Sequence, residues 1–243
     1  MKKAIILMYH SIDRPPNGAR IPNLYVTPRM FLFQMWYLKM AGFSVVPLQE
    51  LQSRVINGNL STDLVAITFD DGFQDFYTNA YPILNQYGYP STVYVVTDLV
   101  AKNNVWDAKN ETIVKPLMDW KTLREISKHG VQIGSHTVSH PQLTLLSDDA
   151  VQTELNESKR MIEEQVEQPG DHFCYPYGDH NEQVKTMVKR AGYRSAVTTQ
   201  RGHVTEGFDP FALRRIPIKL ITNPASFLYK IHTTSEKRKG KQP

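Results

Sequence analysis

The stretch Ala66-Ile67-Thr68-Phe69-Asp70-Asp71-Gly72 ends an apolar run with two adjacent carboxylates and a glycine. The run Leu64–Ile67 predicts a buried strand, and Gly72 allows a sharp turn because it has no Cβ atom. Two carboxylates at a strand end raise each other's pKa, so a positive partner such as a metal ion is expected. The alternative is a solvated turn between a strand and a helix, because short motifs of this kind are weakly specific.

Strand and helix patterns alternate along the rest of the chain. Lys3–Tyr9 is a continuous apolar run that predicts a buried strand, and Pro28–Ala41 predicts a helix capped by Thr27. Ser147 caps a predicted long helix that extends to about Val166. This alternation is typical of a parallel α/β sheet, and the number of predicted strands favours an irregular barrel.

The helix predicted over Pro28–Ala41 has apolar residues around most of its circumference. This pattern predicts a wide buried face. The apolar positions are Phe31, Phe33, Met35, Tyr37, Leu38 and Met40.

The length and composition are those of a globular protein with one domain. The 243 residues are 41% hydrophobic and 21% charged, with a net charge of +4. Residues 235–243 hold four basic residues and one acidic residue, so the rest is nearly neutral and gives little support for nucleic-acid binding. We therefore predict a catalytic domain over residues 1–232 and a disordered basic tail over residues 233–243, with affinity for anionic surfaces such as lipid headgroups or RNA.

The cysteine content and the N-terminus bear on the compartment. The one cysteine, Cys174, allows no internal disulfide, so an oxidising compartment is not required. The apolar run Ala4–Tyr9 is shorter than a signal-peptide core, and no small-residue cleavage site follows it. No apolar run is long enough to span a membrane. These observations predict a cytoplasmic protein, with membrane contact through the basic tail as an option.

Several chemically active residues follow predicted strands, where the active sites of parallel barrels lie. His10 follows the first strand, Asp70 and Asp71 follow a later one, and His136 and His140 follow another. A spacing of four brings two imidazoles to one face of a helical turn. With one carboxylate they make a three-ligand metal site that leaves a position open for water, the catalytic form. The alternative is a pair of loop histidines that cap local carbonyl groups.

These motifs resemble the polysaccharide deacetylases, the NodB-homology domains of carbohydrate esterase family 4. Thr-Phe-Asp-Asp-Gly at 68–72 matches the first motif of that family, Ser-His-Thr-Val-Ser-His at 135–140 its second, and Tyr-Pro-Tyr-Gly at 175–178 most of its third. The resemblance runs from Lys3 to about His232. It implies a distorted (β/α)7 barrel and metal-dependent removal of N-acetyl groups from the amino sugars of a polysaccharide, oligosaccharide or glycolipid.

The resemblance also implies roles for individual residues. Asp71, His136 and His140 would hold a divalent metal, commonly zinc, with nickel, cobalt or manganese as alternatives. Asp70 would be the general base. The backbone N–H of Tyr177, which follows Pro176 in the third motif, would help to bind the oxyanion.

The chain departs from the usual family pattern at one arginine. The arginine expected three residues before the proline of the third motif falls at Phe173, which cannot orient a carboxylate. Arg215 is a candidate to supply that charge from another strand. The alternative is that Arg214 and Arg215 are surface residues on an edge strand.

A second departure concerns the general acid. The usual family has it in a C-terminal motif, but the late histidine here, His232, ends an amphipathic helix. Met8-Tyr9-His10-Ser11-Ile12 instead resembles the circularly permuted branch that includes poly-N-acetylglucosamine deacetylases. The resemblance assigns His10 as the acid that protonates the leaving amine. The alternative is that His10 has no catalytic role and only caps the end of the first strand.

Two other functions fit the same residues. One is an amidohydrolase of the same fold that acts on a small cyclic or linear amide, which suits the missing export signal. The other is a carbohydrate-binding domain without catalysis. Trp106 and Tyr177 are candidates for stacking on sugar faces, whereas Trp120 is expected in the core.

Overall fold

The computed structural model describes residues 3–60, 63–107 and 113–233. The described strands are β1 Lys3–Tyr9, β2 Ser44–Val45, β3 Leu64–Phe69, β4 Ser91–Val95, β5 Val131–Ser135, β6 His172–Cys174, β7 Ser195–Arg201, β8 Val204–Thr205 and β9 Leu213–Pro217. The described helices are α1 Pro28–Met40, α2 Leu48–Ile56, α3 Tyr81–Tyr87, α4 Trp120–Ser127, α5 Asp148–Val166, α6 Glu182–Arg190 and α7 Pro224–His232.

Parallel strands in the described ranges close into a barrel. Seven of them pair in the order β1, β3, β4, β5, β6, β7 and β9, and β9 returns to β1. The short β2 adds to the start of β3, and β8 pairs antiparallel with the start of β1. A register shift between Val197 and Arg201 makes the barrel irregular. The predicted fold, a distorted (β/α)7 barrel in one domain, is confirmed.

The core has two layers because side chains alternate between the two faces of each strand. On β1, Leu7 and Tyr9 are buried in the same apolar cluster as Phe31 of α1. Ile6 faces the other way and belongs to a cluster inside the barrel with Tyr94. A strand that is buried on both faces reads as a continuous apolar run, which is why β1 and β3 were visible in the sequence.

The outer face of α1 differs from the sequence prediction. Phe31, Met35 and Leu38 are buried as expected, but Met40, which was also expected on the buried face, is 65% exposed. The prediction of a wide buried face was therefore wrong in part, because the barrel contacts the helix on one side.

No helix in the described part of the chain is long and apolar enough to cross a membrane. The predicted basic tail, from residue 234 onward, lies outside the described residues.

Candidate active site

The parallel register of β1 and β3 brings His10 and Asp70 together. Tyr9 pairs with Phe69, so the next residue on each strand emerges at the same end of the barrel. The backbone N–H of Asp70 donates a hydrogen bond to the carbonyl oxygen of Tyr9 at 2.9 Å. The His10 Nε2 atom lies 3.8 Å from Asp70 Oδ2.

The turn after β3 separates the two carboxylates. Asp71 has a φ of 74° and Gly72 a φ of 71°, so the chain reverses through two consecutive left-handed residues. A Cβ atom at Gly72 would lie 3.0 Å from Val95 Cγ1, which leaves little room for another residue. Asp70 points into the barrel, whereas Asp71 Oδ1 lies 3.5 Å from His136 Nε2 and 3.8 Å from His140 Nε2.

The two histidines lie on an irregular loop after β5. Thr137 and His140 have positive φ angles of 71° and 64°, so the sequence prediction of a helical turn was wrong. The loop still brings the two Nε2 atoms to 3.3 Å from each other. The Nδ1–H of His136 donates to the carbonyl oxygen of Cys174 at 2.7 Å, which leaves its Nε2 as the atom that can bind a metal.

Glu154 of α5 holds this loop from behind. Its carboxylate accepts hydrogen bonds from the backbone N–H groups of Val138 at 2.7 Å and Ser139 at 3.0 Å. The Ser139 hydroxyl donates a third bond at 2.6 Å. Sequence reasoning missed Glu154, because two of its three donors are backbone N–H groups and no motif indicates such contacts.

Both histidines are in the neutral form that binds metals. Burial lowers the pKa of His136 to about 4, although the Asp70 carboxylate opposes the shift. Burial and the neighbouring His136 lower the pKa of His140 as well. The pair therefore offers lone pairs rather than positive charge near neutral pH.

Asp71, His136 and His140 fit a divalent ion. Their three ligand atoms are 3.3–3.8 Å apart, and ligands of a tetrahedral zinc ion at about 2.1 Å would be about 3.4 Å apart. A second group, Asp70, His136 and Cys174, also lies close together. The guanidinium of Arg215 contacts both Asp70 and Cys174, and its positive charge disfavours a cation there.

Arg215 lies inside the barrel and binds Asp70. Its NH1 and NH2 groups donate to the two oxygens of Asp70 at 2.6 and 2.7 Å, and its side chain is fully buried. The alternative of a surface residue on an edge strand is excluded, because β9 pairs with β7 on one side and β1 on the other. Burial would raise the pKa of Asp70, but the charge and hydrogen bonds of Arg215 outweigh it and hold the pKa well below its usual value.

Aromatic residues flank His140 at the mouth of the barrel. The Trp106 ring stacks on His140 with centroids 4.7 Å apart, and Tyr177 packs edge-on from another side at 4.7 Å. Tyr177 is 49% exposed, whereas Pro176 before it is buried. Trp120 lies elsewhere, half-buried against the apolar core. Trp106 and Tyr177 therefore form an aromatic wall beside the candidate metal ligands.

A buried polar network supports the chain after His10. Asp75 accepts hydrogen bonds from the Ser11 hydroxyl at 2.9 Å and the Ile12 N–H at 2.8 Å. The Lys115 ammonium group also binds Asp75, and it donates to Ser11 at 2.6 Å. Sequence reasoning missed this network, although an acid three residues after Gly72 is a feature that it could have used.

Comparison with known proteins identifies the family. The profile of the family described as polysaccharide deacetylase matches residues 57–196, more than half of the chain. This chain belongs to the polysaccharide deacetylase family. The resemblance inferred from the three motifs is thereby confirmed.

Individual members of the deacetylase family match most of the chain. The protein YxkH of Bacillus subtilis is 29% identical over 217 residues, which are 89% of this chain and 71% of YxkH. The poly-β-1,6-N-acetyl-D-glucosamine N-deacetylase of Staphylococcus aureus is 24% identical over 234 residues, 88% of this chain and 78% of that protein. The Streptococcus pyogenes deacetylase PplD, solved with acetate, is 30% identical, with a TM-score of 0.83 and coverage of 95% of this chain and 99% of PplD.

Proposed function

We propose that this chain hydrolyses N-acetyl groups from N-acetylhexosamine residues of a polysaccharide, oligosaccharide or glycolipid, and that it needs a divalent metal ion. One observation carries the proposal. Asp71, His136 and His140 converge beside the pair formed by Asp70 and His10. The S. aureus relative is named for an N-acetylglucosamine polymer, and PplD was solved with acetate, which is the acid product of deacetylation.

Asp71, His136 and His140 would hold the ion. Two neutral imidazoles and one carboxylate suit zinc, and the same donor set accepts nickel, cobalt or manganese. A divalent ion at this place supplies Lewis acidity, which acidifies water and polarises an amide carbonyl.

Asp70 is the proposed general base. It takes a proton from the attacking water as the water oxygen bonds to the acetyl carbon. Arg215 fixes both carboxylate oxygens by its paired hydrogen bonds, so the base cannot rotate away from the water. The backbone N–H of Tyr177 is the proposed donor to the oxyanion, since Pro176 has no N–H to offer.

His10 is the proposed general acid. It lies beside Asp70 at the same rim of the barrel and is 18% exposed, so it can reach a substrate nitrogen. Burial lowers the pKa of His10, and the neighbouring Asp70 carboxylate opposes that shift and favours the imidazolium. A proton from this imidazolium passes to the nitrogen as the carbon–nitrogen bond breaks. The products are acetate and a free amino sugar.

The test is acetate release from soluble β-1,6-linked N-acetylglucosamine oligomers and from chitooligosaccharides. We expect release by the zinc-loaded protein and loss of release in Asp70→Asn, which keeps the shape of the side chain. Release from small cyclic or linear amides but from no N-acetyl sugar would support the amidohydrolase alternative. Sugar binding without any release by zinc-loaded protein would support the binding-domain alternative.

A further inference from the structure

The outer face of α1 carries an exposed apolar stripe. Leu32, Trp36 and Met40 are 40%, 46% and 65% exposed, and their spacing of four places them in one row. Phe33 packs against Trp36 with ring centroids 5.7 Å apart and widens the row. The outward face of a helix in a water-soluble domain is usually polar, so a row of this kind marks a site of interaction.

The surroundings of the stripe are basic. Arg29 and Lys39 are exposed on the same helix. Residues 14–49 contain four basic residues and no acidic residue. The stripe therefore combines apolar side chains with positive charge and has no acid within its own segment.

Helix α7 adds no acidic charge beside α1. It packs beside α1, where the Tyr37 hydroxyl and His232 Nε2 are 2.8 Å apart. It contains Lys230 and no acidic residue, and its Tyr229 is 55% exposed. The sequence that follows α7 holds four basic residues and one acidic residue in positions 235–243.

We propose that the face formed by Leu32, Trp36 and Met40 docks on the surface of an anionic lipid bilayer. Its apolar side chains enter the boundary between headgroups and acyl chains, and Trp36 suits that boundary because its ring is amphipathic. Arg29 and Lys39 contact the lipid phosphates. Charge argues against a second copy of this chain as the partner, since a two-fold contact would bring identical cations together.

This orientation leaves the candidate active site accessible. Helix α1 runs along the side of the barrel, whereas His10, Asp70 and Asp71 lie at the end where the strands finish. A barrel that rests on α1 therefore keeps its mouth clear of the bilayer. The proposal does not depend on the deacetylase activity, because lipid binding involves none of the catalytic residues.

The experiment is flotation of the full chain with vesicles made of equal parts phosphatidylglycerol and phosphatidylcholine. We expect the wild type to float with these vesicles but not with pure phosphatidylcholine. The double variant Trp36→Gln/Met40→Gln should bind these vesicles at least about tenfold more weakly than the wild type does. Arg29→Gln/Lys39→Gln should lose about fivefold in affinity per cation on the anionic vesicles.

The control is Leu145→Gln, which changes a residue that is 76% exposed before α5 and away from α1. It should bind vesicles like the wild type, and Trp36→Gln/Met40→Gln should unfold at the same temperature as Leu145→Gln. Equal vesicle binding by all variants, or equal binding to neutral and anionic vesicles, would overturn the proposal. So would a dimer in sedimentation velocity that Trp36→Gln/Met40→Gln dissociates, if the wild type binds no vesicles.

Discussion

Arg215 and Asp70 are a charge pair whose two members are both removed from water. The arginine donates five hydrogen bonds: two to Asp70 and one each to Thr198, Thr68 and Cys174. A buried pair is costly to form, but it is much more costly to break from one side, because the remaining charge then has no partner. The role of Arg215 in orienting Asp70 can therefore be measured as a coupling free energy.

We predict that Arg215→Met lowers the free energy of unfolding by about 3–5 kcal/mol, because it leaves the Asp70 charge buried without a partner. Arg214→Met is the matched control on the same strand, where the arginine stacks on Phe208 at 5.2 Å, and it should cost about 1 kcal/mol. Urea denaturation measures both. The double variant Asp70→Asn/Arg215→Met should lose less than the sum of the single variants, and strict additivity would contradict the coupling.

Glu154 gives a second prediction at the scale of single residues. Its three hydrogen bonds fix the loop between His136 and His140, and supporting groups of this kind change metal affinity by about 10–100-fold when they are removed. We predict that Glu154→Ala weakens zinc binding by about this factor. The measurement is competition for zinc with a chromophoric chelator.

The control for this prediction is Glu157→Ala on the same helix, where the carboxylate pairs with the exposed Arg160. It should leave zinc affinity unchanged. Glu154→Gln keeps one acceptor oxygen and should restore part of the affinity. If Glu154→Ala and Glu157→Ala bind zinc equally well, the loop does not depend on Glu154.

At the scale of elements, the strands were easier to predict than the loops that carry the chemistry. Lys3–Tyr9 was predicted with its observed limits, and the predicted run Leu64–Ile67 lies within β3, because strands buried on both faces leave continuous apolar runs. The loop of His136 and His140 was assigned a helical turn, because positive φ angles at Thr137 and His140 leave no signal in non-glycine residues.

Tertiary contacts explain what else the sequence could not show. Arg215 could be suggested because the arginine expected from the family pattern falls at Phe173, but its bidentate contact with Asp70 depends on the closure of β9 against β1. The exposure of Met40 was missed because an apolar residue reads the same whether a helix face is covered by the barrel or left open. The sequence pattern thus indicates which residues lie on a helix face, but not which part of the fold covers that face.

The pairing of β6 with β7 gives a prediction about pH. His172 pairs with Ser195, its Nδ1 lies 2.8 Å from the Ser195 hydroxyl, and burial lowers its pKa to about 4. The unfolded chain takes up a proton at this residue near pH 6.5, whereas the folded chain does not until about pH 4. The folded state therefore loses stability as the pH falls through this window, by up to about 3 kcal/mol.

We predict that His172→Asn loses less stability than the wild type between pH 6.5 and pH 4, because the variant has no group to protonate there. Urea denaturation of metal-free protein at several pH values measures the difference. His129→Gln, at an exposed histidine after α4, is the control and should follow the wild type. Parallel pH profiles for the wild type and His172→Asn would contradict the assignment.

At the scale of the whole molecule, the barrel gathers distant parts of the chain at one end. The candidate metal ligands come from the loops after β3 and β5, and the charge that holds Asp70 comes from β9. An ion bound by Asp71, His136 and His140 would link loops that are about 65 positions apart in sequence, and it would bind only the folded chain. Metal binding should therefore stabilise the entire domain.

We predict that zinc at about a thousandfold excess over its dissociation constant raises the melting temperature of the metal-free protein by about 8–16 °C. Binding to the folded state alone adds about 4 kcal/mol to the free energy of unfolding at that excess. Differential scanning calorimetry measures the increment. Asp71→Asn should abolish it because a ligand is lost, whereas Asp70→Asn should keep it and lose acetate release. Cys174→Ser should also keep it. An increment that survives Asp71→Asn but disappears in Asp70→Asn and Cys174→Ser would move the ion to the group Asp70, His136 and Cys174, and it would remove Asp70 as the base.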